Sequence, residues 1–279
     1  NFQEHITDLT HLYERHHDPA GRTTVGVAAH SAYDLGIDPV AELAGLARSL
    51  DTTLHLHLAE TREESADLER KFGRSITRIL HDNGVFEGRV LAAHCVWVDQ
   101  TDIELMAEGE VAVAHCPISN MKLGAGIAPL VDLRAAGVTV GYGTDGPASN
   151  DSLDLWEEVK IAPLLARVEA LDSTAITAAE TLAMATRESA AAVGLHDTGS
   201  LVAGNAADMI RVDLDQSTFV PVTSSDELIA HLAWSGSNRL VTDVWVAGKQ
   251  VVVGGEVQTV DTERARAQVQ ERARRLAGC

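Results

Sequence analysis

Cysteine is scarce. Cys95, Cys116 and Cys279 are the only three in 279 residues, too few for a disulfide framework in so long a chain, so a reducing cytoplasm is the expected compartment. Positive charge is short as well: 22 Lys+Arg face 41 Asp+Glu, a formal net charge of −19. A surface of that sign does not steer phosphate backbones or anionic lipid, which excludes nucleic acid and membrane surfaces as partners. No apolar run approaches the roughly 18 residues of a membrane span, and no charged-then-apolar leader opens the sequence. An initiator Met is lacking too, since the sequence starts Asn1-Phe2-Gln3. There is no P-loop, no G-x-S-x-G elbow, and no H-x-E with P-C-x-x-C, the signature of the small zinc nucleoside deaminases; three enzyme classes drop out.

What is present is a globular composition, 45% hydrophobic, and a repeated theme. Short apolar runs rich in β-branched residues, at 25–29, 53–56, 90–93, 111–114 and 138–143, each end at a polar residue and lead into a helix-period stretch, the pattern of a βα unit. The endings are His30, His57, His94, His115 and Thr144-Asp145, 21 to 37 residues apart, close to the roughly 30 that such a unit needs. Amphipathic stretches lie between, at 39–50 and 101–108 among others. Near-continuous apolar strands with intervening helices predict a parallel sheet covered on both faces. Beyond Asp145 the pattern turns helical, over 151–171 and 174–193, with Gly194 as C-cap. From Gly199 short strands dominate, at 208–214 and 242–257, with a hairpin turn at Ala247-Gly248-Lys249. The expected organisation is an α/β body over 1–198, a mostly β part over 199–260 and a charged C-terminal helix over 261–279.

Parallel α/β sheets and barrels place their catalytic groups at the C-terminal ends of strands. Four endings with His and a fifth with Asp therefore point to a metal or acid/base site. In His55-Leu56-His57-Leu58-Ala59-Glu60 the period-2 alternation puts both histidines on one face. His57, nearer the strand end, shares the mouth with Glu60 and is the candidate ligand, Glu60 the candidate proton carrier, and His55 a deeper, hydrogen-bonded interior residue. Asp145, in Gly143-Thr144-Asp145-Gly146, either ligates a metal and takes a proton from water or stabilises its turn. Gly141 to Gly146 also fits G-x-G-x-x-G, but Pro147 and the loop-like residues after it exclude the helix that fingerprint requires. Cys95 and Cys116 each follow a strand-end His; adjacent strand residues point to opposite faces, so both cysteines are expected buried and inert. Ser119, Asn120, Ser149 and Asn150 either support the site or satisfy loop backbone.

Together, His57-Leu58-Ala59-Glu60, Ala93-His94-Cys95-Val96, His115-Cys116-Pro117-Ile118-Ser119-Asn120-Met121-Lys122-Leu123, Gly126-Ile127-Ala128-Pro129, Gly143-Thr144-Asp145-Gly146-Pro147-Ala148-Ser149-Asn150 and Gly199-Ser200-Leu201 with Gly204-Asn205-Ala206-Ala207-Asp208 resemble the amidohydrolase superfamily. The branch is similar to the 5-methylthioadenosine/S-adenosylhomocysteine deaminases and their chlorohydrolase and 8-oxoguanine deaminase relatives. The resemblance implies a distorted (β/α)8, TIM-type barrel with a small β-sandwich, and one divalent metal ion, zinc or sometimes iron. It implies His57 and Asp145 as metal ligands and Glu60, His94 and Asp145 as catalytic residues. His30, Glu60 and His94 are the implied substrate contacts. This sequence has Ala28-Ala29 where the family has Gly-Pro before the His30 position. The family's first His-x-His ligand pair has no counterpart here, because His55-Leu56-His57 belongs to the later motif marked by Ala59-Glu60. The five endings therefore match barrel strands four to eight, and the sequence is expected to be the C-terminal part of a longer protein.

The implied activity is metal-dependent hydrolytic deamination of an aminopurine nucleoside such as methylthioadenosine, S-adenosylhomocysteine or adenosine. An 8-oxoguanine or guanine deaminase, or a triazine-type chlorohydrolase, would use the same site. A non-catalytic remnant is the alternative from another class. The expected partners are a small-molecule substrate and, as assembly, a homo-oligomer.

Overall fold

The five apolar runs fold as β1 (Val27–Ala29), β2 (Leu54–Leu58), β3 (Val90–His94), β4 (Ala112–His115) and β5 (Val140–Tyr142) in a computed structural model that describes residues 2–18, 20 and 23–278. Asn1 and Cys279, both used above, lie outside the described residues. The strands pair in parallel, in sequence order, into one sheet, as successive strands of a TIM-type barrel wall do. The register sets Leu58 opposite His94 and His115 opposite Tyr142, so the polar strand ends gather along one edge.

Residues 2–196 form one unit. Its helices are α1 (Phe2–His16), α2 (Ala32–Leu35), α3 (Ile37–Ser49), α4 (Arg62–Phe72), α5 (Ile76–Asp82), α6 (Gln100–Glu108), α7 (Pro117–Leu123), α8 (Leu130–Ala135), α9 (Leu155–Ala170), α10 (Ala178–Ala183) and α11 (Ser189–Ala192). Local chemistry sets their limits. Asp99 and Asp102 close a reciprocal capping box on α6, and Thr61 caps α4, which ends at Gly73 in the left-handed region. In α3 the buried residues Val40, Leu43, Ala44 and Ala47 recur at helical spacing. They pack that helix against the sheet, each large apolar side chain contributing about 1.5–3 kcal/mol.

Burial along β1 and β2 alternates where the apolar runs predict continuous cover, which β5 shows in full and β3 and β4 nearly so. Leu54, Leu56 and Leu58 are buried, whereas His55 is exposed and His57 half-buried; in β1, Ala28 is exposed between Val27 and Ala29. The leucine face carries the core, and the face with Ala28 and His55 meets solvent. The stretch predicted helical over 174–193 is broken by a π-helical segment, Met184–Glu188, between α10 and α11. Gly194 follows at φ 76°, one residue beyond the C-cap Val193.

Residues 197–278 form the second unit, with β6 (Met209–Val212), α12 (Ser225–Ser235), β7 (Val241–Val246), β8 (Lys249–Val253), β9 (Glu256–Val257) and α13 (Thr262–Leu276). The strands make an antiparallel sheet in the order β6-β7-β8-β9. The β7–β8 hairpin turns on Ala247 and Gly248, both at positive φ (47° and 75°), as a two-residue primed turn requires. Helix α12 adds to the strands read from the sequence. Its signal is Ser224, whose side chain accepts from the Glu227 N–H at the head of an apolar stretch. Among the described residues no helix is long and apolar enough to cross a membrane.

Candidate metal centre

His57 projects from the end of β2, and its orientation is fixed by the chain just past β1. The His30 carbonyl accepts the His57 backbone N–H at 2.9 Å and its Nδ1–H at 2.6 Å. A ring nitrogen facing a carbonyl carries the proton, so Nε2 of His57 keeps its lone pair for a cation, the usual second contact of a metal-binding imidazole. The His30 ring is exposed, 4.8 Å from the His57 ring and 3.5 Å from Asp34 Oδ2.

His94 closes β3 in a conformation that a non-glycine residue seldom adopts, φ 72°, followed by Cys95 at 50°. The turn is tied down from the neighbouring loop. Leu58 O accepts the Cys95 N–H, and the Ala59 carbonyl accepts those of Val96 and Trp97, with Ala59 itself at φ 50°. The result is a buried imidazole, 1% exposed. Its Nδ1 donates to Asn120 Oδ1 at 2.9 Å, and its Nε2 lies 3.8 Å from Glu60 Oε2. The His57 and His94 rings stack 5.4 Å apart.

Asp145 follows β5 at φ 61°. Ser119 and Ser149 both donate to its Oδ2, at 2.7 and 2.5 Å, which leaves Oδ1 available. Partial burial alone would raise its pKa. The hydroxyls of Ser149 and Ser119, the Gly146 N–H and nearby His94 outweigh that and hold the carboxyl below its ordinary value.

These three strand ends converge. One donor atom from each of His57, His94 and Asp145 lies within 4.8 Å of the others. Two imidazole nitrogens with their second nitrogens hydrogen-bonded, plus one ionised carboxylate oxygen, make a donor set suited to zinc or iron. From the sequence, His57 and Asp145 are the expected metal ligands and His94 a catalytic, substrate-contacting residue. The structure brings His94 into the same group of donors, because its left-handed backbone abandons the regular alternation of a strand.

Other candidates fall outside that group. His55 is exposed rather than deep, and it makes no side-chain hydrogen bond among the described residues. Partial desolvation, with His57 and His94 nearby, holds its pKa down. His115 is buried; desolvation first, then His94, lowers its pKa to about 4, and its Nδ1 finds no hydrogen-bond partner among the described residues. Cys95 and Cys116 are free and buried, and burial pushes both thiols far up, Cys116 to about 12, so neither is a ready thiolate.

Of the four polar residues left open by the sequence, Ser119 in α7 and Ser149 in the loop after β5 hold Asp145, and Asn120 in α7 orients His94. Asn150 instead donates to Glu158 Oε1 at 2.7 Å. Glu158 lies inside a stretch that the sequence marks only as helix; a carboxylate has no sequence mark of burial.

A model of the amidohydrolase family matches residues 6–251. The 5-methylthioadenosine/S-adenosylhomocysteine deaminase of Pelotomaculum thermopropionicum is 41% identical over 256 residues, 92% of this chain and 58% of that protein. The enzyme of the same name from Bacillus cereus is 38% identical over 259 residues, 93% of this chain and 59% of its own length. Among solved structures, an adenosine deaminase from Xanthomonas campestris with bound zinc superposes with TM-score 0.93 at 34% identity, over 99% of this chain and 62% of that one. Zinc-complexed atrazine chlorohydrolase from Arthrobacter aurescens gives 0.89 at 28%, over 97% and 60%. The chain thus spans about three fifths of the length of these relatives.

Proposed function

The chain belongs to the amidohydrolase family, and from that premise we propose that it forms the greater part of the active site of a metal-dependent hydrolytic deaminase. The substrate is an aminopurine nucleoside of the methylthioadenosine, S-adenosylhomocysteine or adenosine type. The observation that carries the reading is the convergence of His57, His94 and Asp145, with Glu60 3.8 Å from His94 Nε2. The names of the relatives, deaminases of just those nucleosides, support the substrate class.

In this reading His57 and Asp145 hold one divalent cation, zinc or iron, joined by His94 as the geometry allows. When bound, the ion supplies Lewis-acid polarisation. Asp145, kept ionised by its two serine hydroxyls, takes a proton from the attacking water. With Nδ1–H given to Asn120, the Nε2 lone pair of His94 either joins the ion or accepts a hydrogen bond from the attacking water. Glu60 protonates the ring nitrogen and then carries the proton of the newly added hydroxyl to the leaving amine: a carbon–oxygen bond forms and becomes a carbonyl, the carbon–nitrogen bond breaks, ammonia departs, and the proton held by Asp145 restores Glu60. His30, exposed beside His57, contacts the purine. The buried thiols of Cys95 and Cys116 suit a reducing, cytoplasmic compartment.

The second reading keeps the site and changes the leaving group. It is favoured by the superposition with atrazine chlorohydrolase at TM-score 0.89, and chloride would leave a triazine where ammonia leaves a purine. Substitution of Glu60 tests the proton-transfer role. In the full-length protein, Glu60→Gln is expected to retain the wild-type metal content and lower ammonia release by 100-fold or more, in line with a lost general acid, about 10²–10⁴-fold. Undiminished turnover removes Glu60 from the mechanism.

A further inference from the structure

Glu158 lies in the first turn of α9 with no accessible surface. No lysine, arginine or histidine pairs with it among the described residues. Its charge is met instead by two neutral donors: the Ile118 N–H at the start of α7 reaches Oε2 at 3.2 Å, and the Asn150 side-chain amide reaches Oε1 at 2.7 Å. A carboxylate taken out of water without a cation is a burden on the fold, and an apolar residue would fill the space without that penalty.

The neighbours of its two partners give the burden a use. Ile118 is followed by Ser119 and Asn120, which hold Asp145 and His94; Asn150 is preceded by Ser149, the second hydroxyl on Asp145. One buried carboxylate thus fastens together the two segments that supply every side-chain hydrogen bond described above to Asp145 and to His94 Nδ1. We propose that Glu158 is a positioning residue of the metal centre, which keeps the α7 start and the loop after β5 in the one register where Ser119, Ser149 and Asn120 reach Asp145 and His94. The inference rests on the reading of His57, His94 and Asp145 as metal ligands.

Both partners of Glu158 donate, so a proton on either oxygen removes the charge and weakens the bonds it accepts. Burial raises its pKa to about 7, against the lowering effect of Ile118 and Asn150 and with help from Glu157 and Asp154 on α9 and its cap. Cys116 at the head of α7 and Tyr142 in β5 also sense its charge. The clamp therefore loosens as the pH falls through neutrality.

The test uses the full-length protein and zinc itself, with affinity read by chelator competition and the visible bands of the cobalt(II)-substituted form as the spectroscopic readout. Glu158→Gln keeps the volume but turns one acceptor into a donor facing a donor. It is expected to retain the wild-type circular dichroism, bind zinc several-fold more weakly, less than the roughly 10–100-fold lost with a direct partner of a metal ligand, and shift the cobalt bands. Its affinity should also fall less steeply than that of the wild type as the pH is lowered from about 8 to about 6. Should Glu158→Gln fail to fold, Asn150→Ala, which removes a single bond to Glu158, decides on the same two readouts. Wild-type zinc affinity and cobalt bands in the folded variant overturn the proposal. No substrate enters this measurement, so it stands whether or not the protein releases ammonia, and a failed deaminase reading shows separately, as absent turnover with Glu158 in place.

Discussion

At the scale of single residues, four of the nine non-glycine positions at positive φ among the described residues sit at the site: Ala59, His94, Cys95 and Asp145. Each such residue typically costs about 1–3 kcal/mol, and at His94 the expenditure turns an imidazole towards Asp145 and away from the strand's alternation. His115 makes a contrasting case, a buried histidine with an orphaned Nδ1 and a pKa of about 4. Its folded-state pKa lies below the unfolded value of 6.5, so the fold binds the proton less well than the open chain. The neutral form's advantage is present in full above about pH 6.5 and is lost as pH falls towards 4, a swing of roughly 3 kcal/mol. The difference in urea unfolding free energy between wild type and His115→Leu should therefore change by that order between those pH values. Parallel curves would remove His115 as the acid-sensitive group.

These residues also mark what the sequence discloses. His30, His57, His94, His115 and Asp145 are legible as strand ends because β-branched runs stop there, and Glu60 because it follows His57 by three. The inclusion of His94 among the metal donors is not legible, since nothing in Ala93-His94-Cys95 announces a left-handed backbone. Nor is the burial of Glu158, whose neighbours Trp156, Glu157 and Val159 give an ordinary amphipathic reading. Ser119 and Ser149 carry the residue types of loop satisfiers and become site residues only through the fold.

At the scale of elements, the position of the Asp145 loop depends on how β5 meets the helices. Gly141 in β5 lies directly beneath α11, and a Cβ there would fall 2.7 Å from Ser189 Cα and Oγ. Ser189 in turn accepts the Tyr142 N–H at 3.0 Å and donates to Met184 O, across the π-helical segment. The glycine is required by close approach of two backbones, since its φ is not among the positive ones. Gly141→Ala should destabilise the protein by about 1–3 kcal/mol through overpacking, read by urea or thermal unfolding. Wild-type stability would show that α11 gives way without cost. On the far side of the loop, Lys122 in α7 donates to Ala148 O at 3.0 Å and pairs with Asp151 at 2.6 Å. Together with Glu158, these contacts make α7 and the loop after β5 one mechanical piece.

At the scale of the whole molecule, the family match runs through both units, from residue 6 to 251, over a chain of net charge −19. The parallel order β1 to β5 supplies five consecutive strand ends, and all the proposed chemistry hangs on them. The direct measurement is ammonia release by the full-length protein, stripped of metal and then reloaded with zinc, across methylthioadenosine, S-adenosylhomocysteine, adenosine, guanine and 8-oxoguanine, with chloride release from a chlorotriazine alongside. The account predicts ammonia from one or more of the three adenosine-type nucleosides, abolished by stripping and restored by zinc. Zinc-loaded protein that releases no ammonia from any of these three, or that releases only chloride from the triazine, would contradict it.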